Sequence, residues 1–104
     1  MERISLLRQI KMLLEEAFGD RLKGIVLYGS EARGETTPES DIDILVLLTG
    51  PIALGKDLRT IIHALYPLEL EIERAIDAMP VNVDVYEAGE FALYRNAKRD
   101  GIVI

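Results

Sequence analysis

The chain contains no cysteine, which removes disulfide frameworks, thiolate zinc sites and cysteine nucleophiles in one step. Its one histidine, His63, has no second His or Cys at ligand spacing, so a half-exposed structural role is expected for it. No apolar run approaches the length of a membrane span, and the N-terminal Met1-Glu2-Arg3-Ile4 is charged, with no apolar signal core. A cytoplasmic domain without membrane attachment is expected. Positive charge is scarce as well: 12 Lys and Arg stand against 18 Asp and Glu, a formal charge of −6. That balance disfavours a broad basic face and direct nucleic-acid binding. The one basic cluster, Arg95, Lys98 and Arg99, reads first as a solvated helix face, with RNA or partner contact the lesser reading. Repeats, linkers and low-complexity tracts are absent too. What remains is an ordinary globular mixture, 49 % hydrophobic and 29 % charged over 104 residues, enough to bury a core as one small domain, residues 1–104.

Apolar residues recur at Ile4, Leu7, Ile10, Leu14 and Phe18, a helical spacing that Gly19 ends. Residues 22–28 are short, apolar and partly β-branched, and read as a buried strand. A polar stretch follows, punctuated by Gly29, Gly34 and Pro38. Residues 41–48 form the second strand, closed by Thr49-Gly50-Pro51. Leu58, Ile61, Leu65, Leu68, Ile72 and Ile76 keep helical spacing, so a helix over about 56–74 is expected, broken or kinked at Pro67. The alternation of residues 68–73 leaves a strand open there. A third strand is expected within 75–85 and a last helix over 87–99, ended by Gly101. Helices interleaved with short strands give an α/β (α+β) layer architecture. Twelve polar residues are few for a parallel crossover, so the first two strands should pair antiparallel within a small mixed sheet.

The chemistry is concentrated in residues 28–46. Gly29-Ser30 follows a strand and opens a turn or short helix, where free amides and a hydroxyl can face a phosphate. Alone, such a pair is usually only a turn. Asp41 and Asp43 stand at i and i+2 on a strand, on one face and about 6.5–7 Å apart. Two such carboxylates repel unless a cation lies between them, and Mg²⁺ takes this kind of oxygen site while keeping positions open for substrate phosphates. A bare Asp-x-Asp more often marks a turn cap and a solvated sheet end. The combination is sharper: Gly-Ser, ten residues, then Asp-x-Asp between two strands arises by chance at only ~10⁻³ over the chain. A phosphate cradle beside a metal-binding pair describes nucleoside triphosphate chemistry.

This segment, Gly29-Ser30-Glu31-Ala32-Arg33-Gly34 with Pro38 and Ser40-Asp41-Ile42-Asp43, resembles the signature of the DNA polymerase β-like nucleotidyltransferase superfamily, and within it the minimal nucleotidyltransferase (MNT) group. The likeness extends to Phe91-Ala92-Leu93-Tyr94-Arg95-Asn96 and Gly101-Ile102. It implies the polymerase β-like nucleotidyltransferase fold, with Gly29 and Ser30 on the terminal phosphates, and Asp41 and Asp43 on Mg²⁺. Arg33 matches the arginine of the motif and would serve either phosphate contact or a structural ion pair. Glu31 departs from the basic or neutral residue of many relatives; it would weaken the nucleotide site or point to solvent. The superfamily usually carries a third carboxylate on the neighbouring strand. Asp84, in the alternating Val81-Asn82-Val83-Asp84-Val85, competes with Asp77. In the frame preferred here, Asp77 is the third acid, while Asn82 caps the final helix with Asp84 in its first turn. Glu69, Glu71 and Glu73 read as a solvated acidic face.

The expected activity is Mg²⁺-dependent transfer of AMP from ATP to a hydroxyl, with two metal ions neutralising the attacking and leaving oxygens. No segment looks large enough to bind an acceptor, so the acceptor is expected from a partner or another subunit, and a homo-oligomer stays open. MNT proteins resembling this chain are paired with HEPN-domain toxins in toxin–antitoxin modules, as antitoxins that adenylylate the toxin, typically on a tyrosine. The alternative is a non-catalytic antitoxin that neutralises a HEPN partner by contact alone.

Overall fold

The computed structural model describes residues 2–35, 37 and 39–104, which form five α-helices and four strands; Pro38 lies outside the described residues. Helix α1 (Arg3–Phe18) buries Leu6, Ile10 and Leu14. This is one step off the expected stripe, for Ile4 is 57 % exposed and Leu7 only lines the core. The physical reason is in the flanks: at 100° per residue Ile4 falls between Lys11 and Glu15, whereas the Leu6 line is bordered by Leu7 and Leu13. Gly19 ends α1 as expected.

Strands β1 (Leu22–Tyr28) and β2 (Ile42–Leu48) pair antiparallel, with Tyr28 opposite Asp43. Between them lies a short helix, α2 (Gly29–Arg33). Strand β3 (Ile76–Asn82) runs parallel to β2, and β4 (Ile102–Val103) pairs antiparallel with β1, giving the order β3-β2-β1-β4. The sheet is therefore small and mixed, as anticipated, with β4 the one strand not foreseen. Pro80 sits inside β3, opposite Val46. It is tolerated because β3 is an edge strand and needs no ladder donor on its outer side.

Helix α3 (Leu54–Ile72) continues past Pro67, where a break or kink was expected, and takes in residues 68–72, with Glu73 as its C-cap. Pro67 and His63 are both exposed, so the missing i→i−4 hydrogen bond falls on the solvent-facing side of the helix. Ile61, Leu65 and Leu68 around it are buried. Three such side chains contribute about 1.5–3 kcal/mol each, against about 3 kcal/mol for a proline in a helix interior. The last expected helix divides at Gly89, which adopts φ +66°, into α4 (Val83–Ala88) and α5 (Ala92–Asp100). Asn82 Oδ1 accepts the amides of Asp84 (2.8 Å) and Val85 (3.4 Å), capping α4.

Both faces of the sheet are covered. Ile25 and Leu27 of β1 with Ile42, Ile44, Val46 and Leu48 of β2 pack against α1 and α3. Val26, Leu45, Leu47 and Val81 pack on the other side against Tyr86 and Ala97 of α4 and α5. A central strand buried on both faces reads as a continuous apolar run, which is the sequence of β2.

The loop between β2 and α3 is anchored by a buried acid. Asp57 accepts from Arg21 Nη1 (2.9 Å) and Nη2 (3.1 Å) and from the Ala53 amide (3.0 Å). These hydrogen bonds from Arg21 hold the Asp57 carboxyl below its ordinary value, against the opposing effect of burial. Arg21 is half exposed and can return to water when its partner is lost. Asp57→Asn is therefore expected to lower stability by about 2–3 kcal/mol, seen as a drop in urea midpoint at unchanged slope. A carboxyl depressed on folding contributes fully above its unfolded value and loses that contribution as pH falls through the folded one. The gap between parent and variant should thus be constant at neutral pH and close below about pH 4.

Candidate active site

Antiparallel β1/β2 and parallel β2/β3 bring the end of β1 to the beginnings of β2 and β3. Three acids meet at that sheet end. Asp43 is the register partner of Tyr28 on one side and of Asp77 on the other, and Asp41 lies just before β2. Alternation sends Ile42 and Ile44 into the α1/α3 core, so Asp43 projects from the opposite face. Asp43 is half-buried, whereas Asp41 and Asp77 are exposed. Burial raises the Asp43 carboxyl above its ordinary value, and the charges of Asp77 and Asp41 raise it further. The Tyr28 phenol is likewise raised, by burial first and then by Asp43 and Asp77. The three carboxylates and the phenol share one electrostatic field, negative and uncompensated by these four groups.

Gly29 has two reasons to lack a side chain. Its φ is +69°, and a Cβ there would stand 2.7 Å from Asp43 Oδ2. The turn that bears Ser30 therefore rests directly on the Asp43 carboxylate. Helix α2 is brief: Gly34 adopts a left-handed conformation and the Glu35 amide donates to the Ser30 carbonyl at 2.9 Å. Tyr28 places no side-chain cap on its first turn, which leaves the leading amides without helical partners.

Of the other candidates, Arg33 is exposed and its Nε donates to Glu35 at 3.1 Å, a surface pair weak enough to open. It borders a cavity of about 190 Å³ with Tyr28, Gly29, Leu93, Asn96, Ala97 and Asp100. Asp84 lies in the first turn of α4, past the end of β3 remote from Asp43. Asp77 and Asp84 thus stand at opposite ends of one strand. Glu31 departs from both of its expected placements: it is neither beside the phosphate turn as a free acid nor in solvent, but buried against Arg74 Nη2 at 2.9 Å. Arg74 received no role from the sequence; its partner is 43 residues away, and nothing local marks it. Glu69, assigned to a solvated face, instead accepts the Ile76 amide at 3.1 Å and so secures the start of β3. His63 is exposed rather than half-exposed. The basic cluster is occupied within the chain: Arg95 donates to the Gly89 carbonyl, Lys98 pairs with Glu87, and Arg99 pairs with Asp100.

A divalent metal suits this donor set. Among the described residues no three His, Cys, Asp or Glu side chains close into a cage. Mg²⁺ does not need one, because it takes one or two carboxylates and completes its shell with water and phosphate oxygens. The mutual repulsion at Asp43 is what a hard cation would relieve.

The model of the nucleotidyltransferase domain family matches residues 7–103. A Methanocaldococcus jannaschii protein provisionally named a protein adenylyltransferase is 33 % identical over 73 residues, covering 69 % of this chain and 74 % of its own. Another of the same provisional name and organism is 32 % identical over 92 residues, covering 88 % and 86 %. Among solved structures, a toxin–antitoxin crystal structure with AMP-PNP superposes with a TM-score of 0.68 at 21 % identity, over 92 % of this chain and 69 % of that one. A protein of Sulfolobus solfataricus, provisionally named a nucleotidyltransferase, gives 0.59 at 21 % identity, over 96 % and 79 %. Among the described residues no helix is long and apolar enough to cross a membrane.

Proposed function

The chain belongs to the nucleotidyltransferase domain family, and from that premise we propose that it transfers AMP from Mg·ATP to a hydroxyl of a partner protein, a tyrosine of a HEPN-domain toxin, and acts as the antitoxin. The observation that carries the reading is the meeting of Asp41, Asp43 and Asp77 at one sheet end, against the side-chain-free turn at Gly29. Gly29, Ser30 and Arg33 hold the terminal phosphates. Asp41 and Asp43, with Asp77 beside them, would hold the metal. When bound, Mg²⁺ neutralises charge on the attacking and leaving oxygens. Asp77, exposed at the rim, faces an arriving acceptor and takes the proton of its hydroxyl. The acceptor oxygen then bonds to the α-phosphorus while the bond from that phosphorus to the bridging oxygen breaks, and pyrophosphate leaves. Two of the three acids are open to solvent, which suits an acceptor presented from outside the chain. The names of the Methanocaldococcus relatives support a protein acceptor, and the toxin–antitoxin neighbour supports a toxin.

Incubation with Mg·ATP and a HEPN-domain protein encoded beside it is expected to add AMP to that partner, read by intact-protein mass spectrometry. Ser30→Ala should slow the transfer about tenfold by loosening phosphate positioning. Neutralisation of the partner with no added mass would sink the enzymatic reading and leave contact-only inhibition.

A further inference from the structure

Arg74 ties together the three segments that hold the candidate site. Its Nη2 donates to Glu31 Oε2 at 2.9 Å, one residue after Ser30 in α2. Its Nε donates to the Ser40 carbonyl at 2.9 Å, one residue before Asp41. Arg74 itself precedes Asp77 by three residues, and its neighbour Ala75 accepts the Ile42 amide at 2.9 Å. The side chains of the pair are only 16 % and 8 % exposed. On the far side, Arg3 Nη2 donates to the Glu31 carbonyl at 3.1 Å and so fixes the same turn from α1.

We propose that Glu31 and Arg74 are a positioning pair, which sets the phosphate turn at Gly29-Ser30 against the acids Asp41, Asp43 and Asp77; the inference rests on the function proposed above. No helix or strand is assigned to the described residues between Arg33 and Ile42, so the backbone there supplies no ladder to fix one end of the site against the other. A guanidinium supplies what is missing. Its donors lie in one rigid plane, and two of them used at once define both distance and angle between α2 and the approach to β2. Lysine can keep an ion pair with Glu31 but cannot reproduce both bonds in that fork. The pairing also neutralises a carboxylate that would otherwise stand buried beside a site meant for a triphosphate.

The test uses Arg74→Lys, Arg74→Gln and the double variant Glu31→Gln with Arg74→Gln. Each is followed by thermal melting, by amide hydrogen exchange over residues 29–43, and by calorimetric titration with Mg·ATP. Arg74→Lys should melt close to the parent yet exchange faster at α2 and around Asp41, and bind Mg·ATP about tenfold more weakly. Arg74→Gln should lose more affinity, because it removes the ion pair with Glu31 as well as the fork geometry. The double variant should regain melting temperature without regaining affinity, and it decides the matter where Arg74→Gln fails to fold. Parent-like exchange and affinity in Arg74→Lys, or full recovery of both in the double variant, would overturn the proposal. If the parent itself does not bind Mg·ATP, the proposed function fails, and the exchange comparison alone then decides whether the pair positions the turn.

Discussion

With Asp41 and Asp43 both changed to asparagine, AMP transfer is expected to fall by at least about a thousandfold, which is about 4 kcal/mol of transition-state stabilisation. Asparagine keeps the shape of each side chain and removes only its charge. The fold should not suffer. Asp43 lies in a field that disfavours its own ionisation, through burial and through Asp77 and Asp41, so neutralising it removes repulsion from the folded state. Its carboxyl is raised on folding, and a group of that sign opposes folding wherever it is charged. Melting temperature at pH 7 should therefore hold or rise while activity disappears. A scaffold residue would move both together. Asp77→Asn alone should lower the rate about a hundredfold, whereas Asp84→Asn should leave it unchanged and remove only a favourable charge from the first turn of α4, worth about 0.3–1 kcal/mol. Initial rates of partner modification, with melts on the same samples, provide the measurement. A rate loss in Asp84→Asn and none in Asp77→Asn would reverse the assignment of the third acid.

What the sequence disclosed and what it concealed divide by range. The apolar run of β2 and the position of Asp43 within it are carried by seven consecutive residues, and Gly29 announces a turn by its own lack of a Cβ. These are local properties, so periodicity reaches them. The competition between Asp77 and Asp84 is local too, but two local signals conflict there. The alternation of residues 81–85 favours a strand, whereas Asn82 has the side chain of a helix cap, and in the structure it caps α4. The placement of Asp77 beside Asp43 needed the parallel register of β3 on β2, which neither segment encodes alone. Pro67 misleads because its penalty is intrinsic, whereas the burial of Leu65 and Leu68 that outweighs it depends on the rest of the fold. Glu31 shows the limit most clearly. Its neighbours in sequence suggested an acid near phosphate; its neighbour in space is Arg74, and no pattern in a single sequence joins positions so far apart.

Two glycines in one turn separate strain from displacement. Gly29 opens α2 and Gly34 follows its end, and the two adopt nearly the same positive φ, +69° and +72°. Alanine at either position should destabilise the fold by about 1–2 kcal/mol, the penalty of a left-handed conformation for an L-residue. Their surroundings differ. A Cβ at Gly34 meets nothing within 4 Å, whereas one at Gly29 stands 2.7 Å from Asp43 Oδ2, well inside van der Waals contact, and the carboxylate must move to admit it. A displacement of even a fraction of an ångström at an acid proposed to hold the metal is expensive, because reacting groups misplaced by about 1 Å lose about a hundredfold in rate. Gly29→Ala is therefore expected to lower AMP transfer by about that factor and to weaken Mg²⁺-dependent ATP binding. Gly34→Ala, equally strained, should keep both within about threefold. Urea titration of the two variants calibrates the shared strain, and rate measurements expose the difference. Equal losses of activity in both would mean that the turn acts only through its own conformation, and that its contact with Asp43 is incidental.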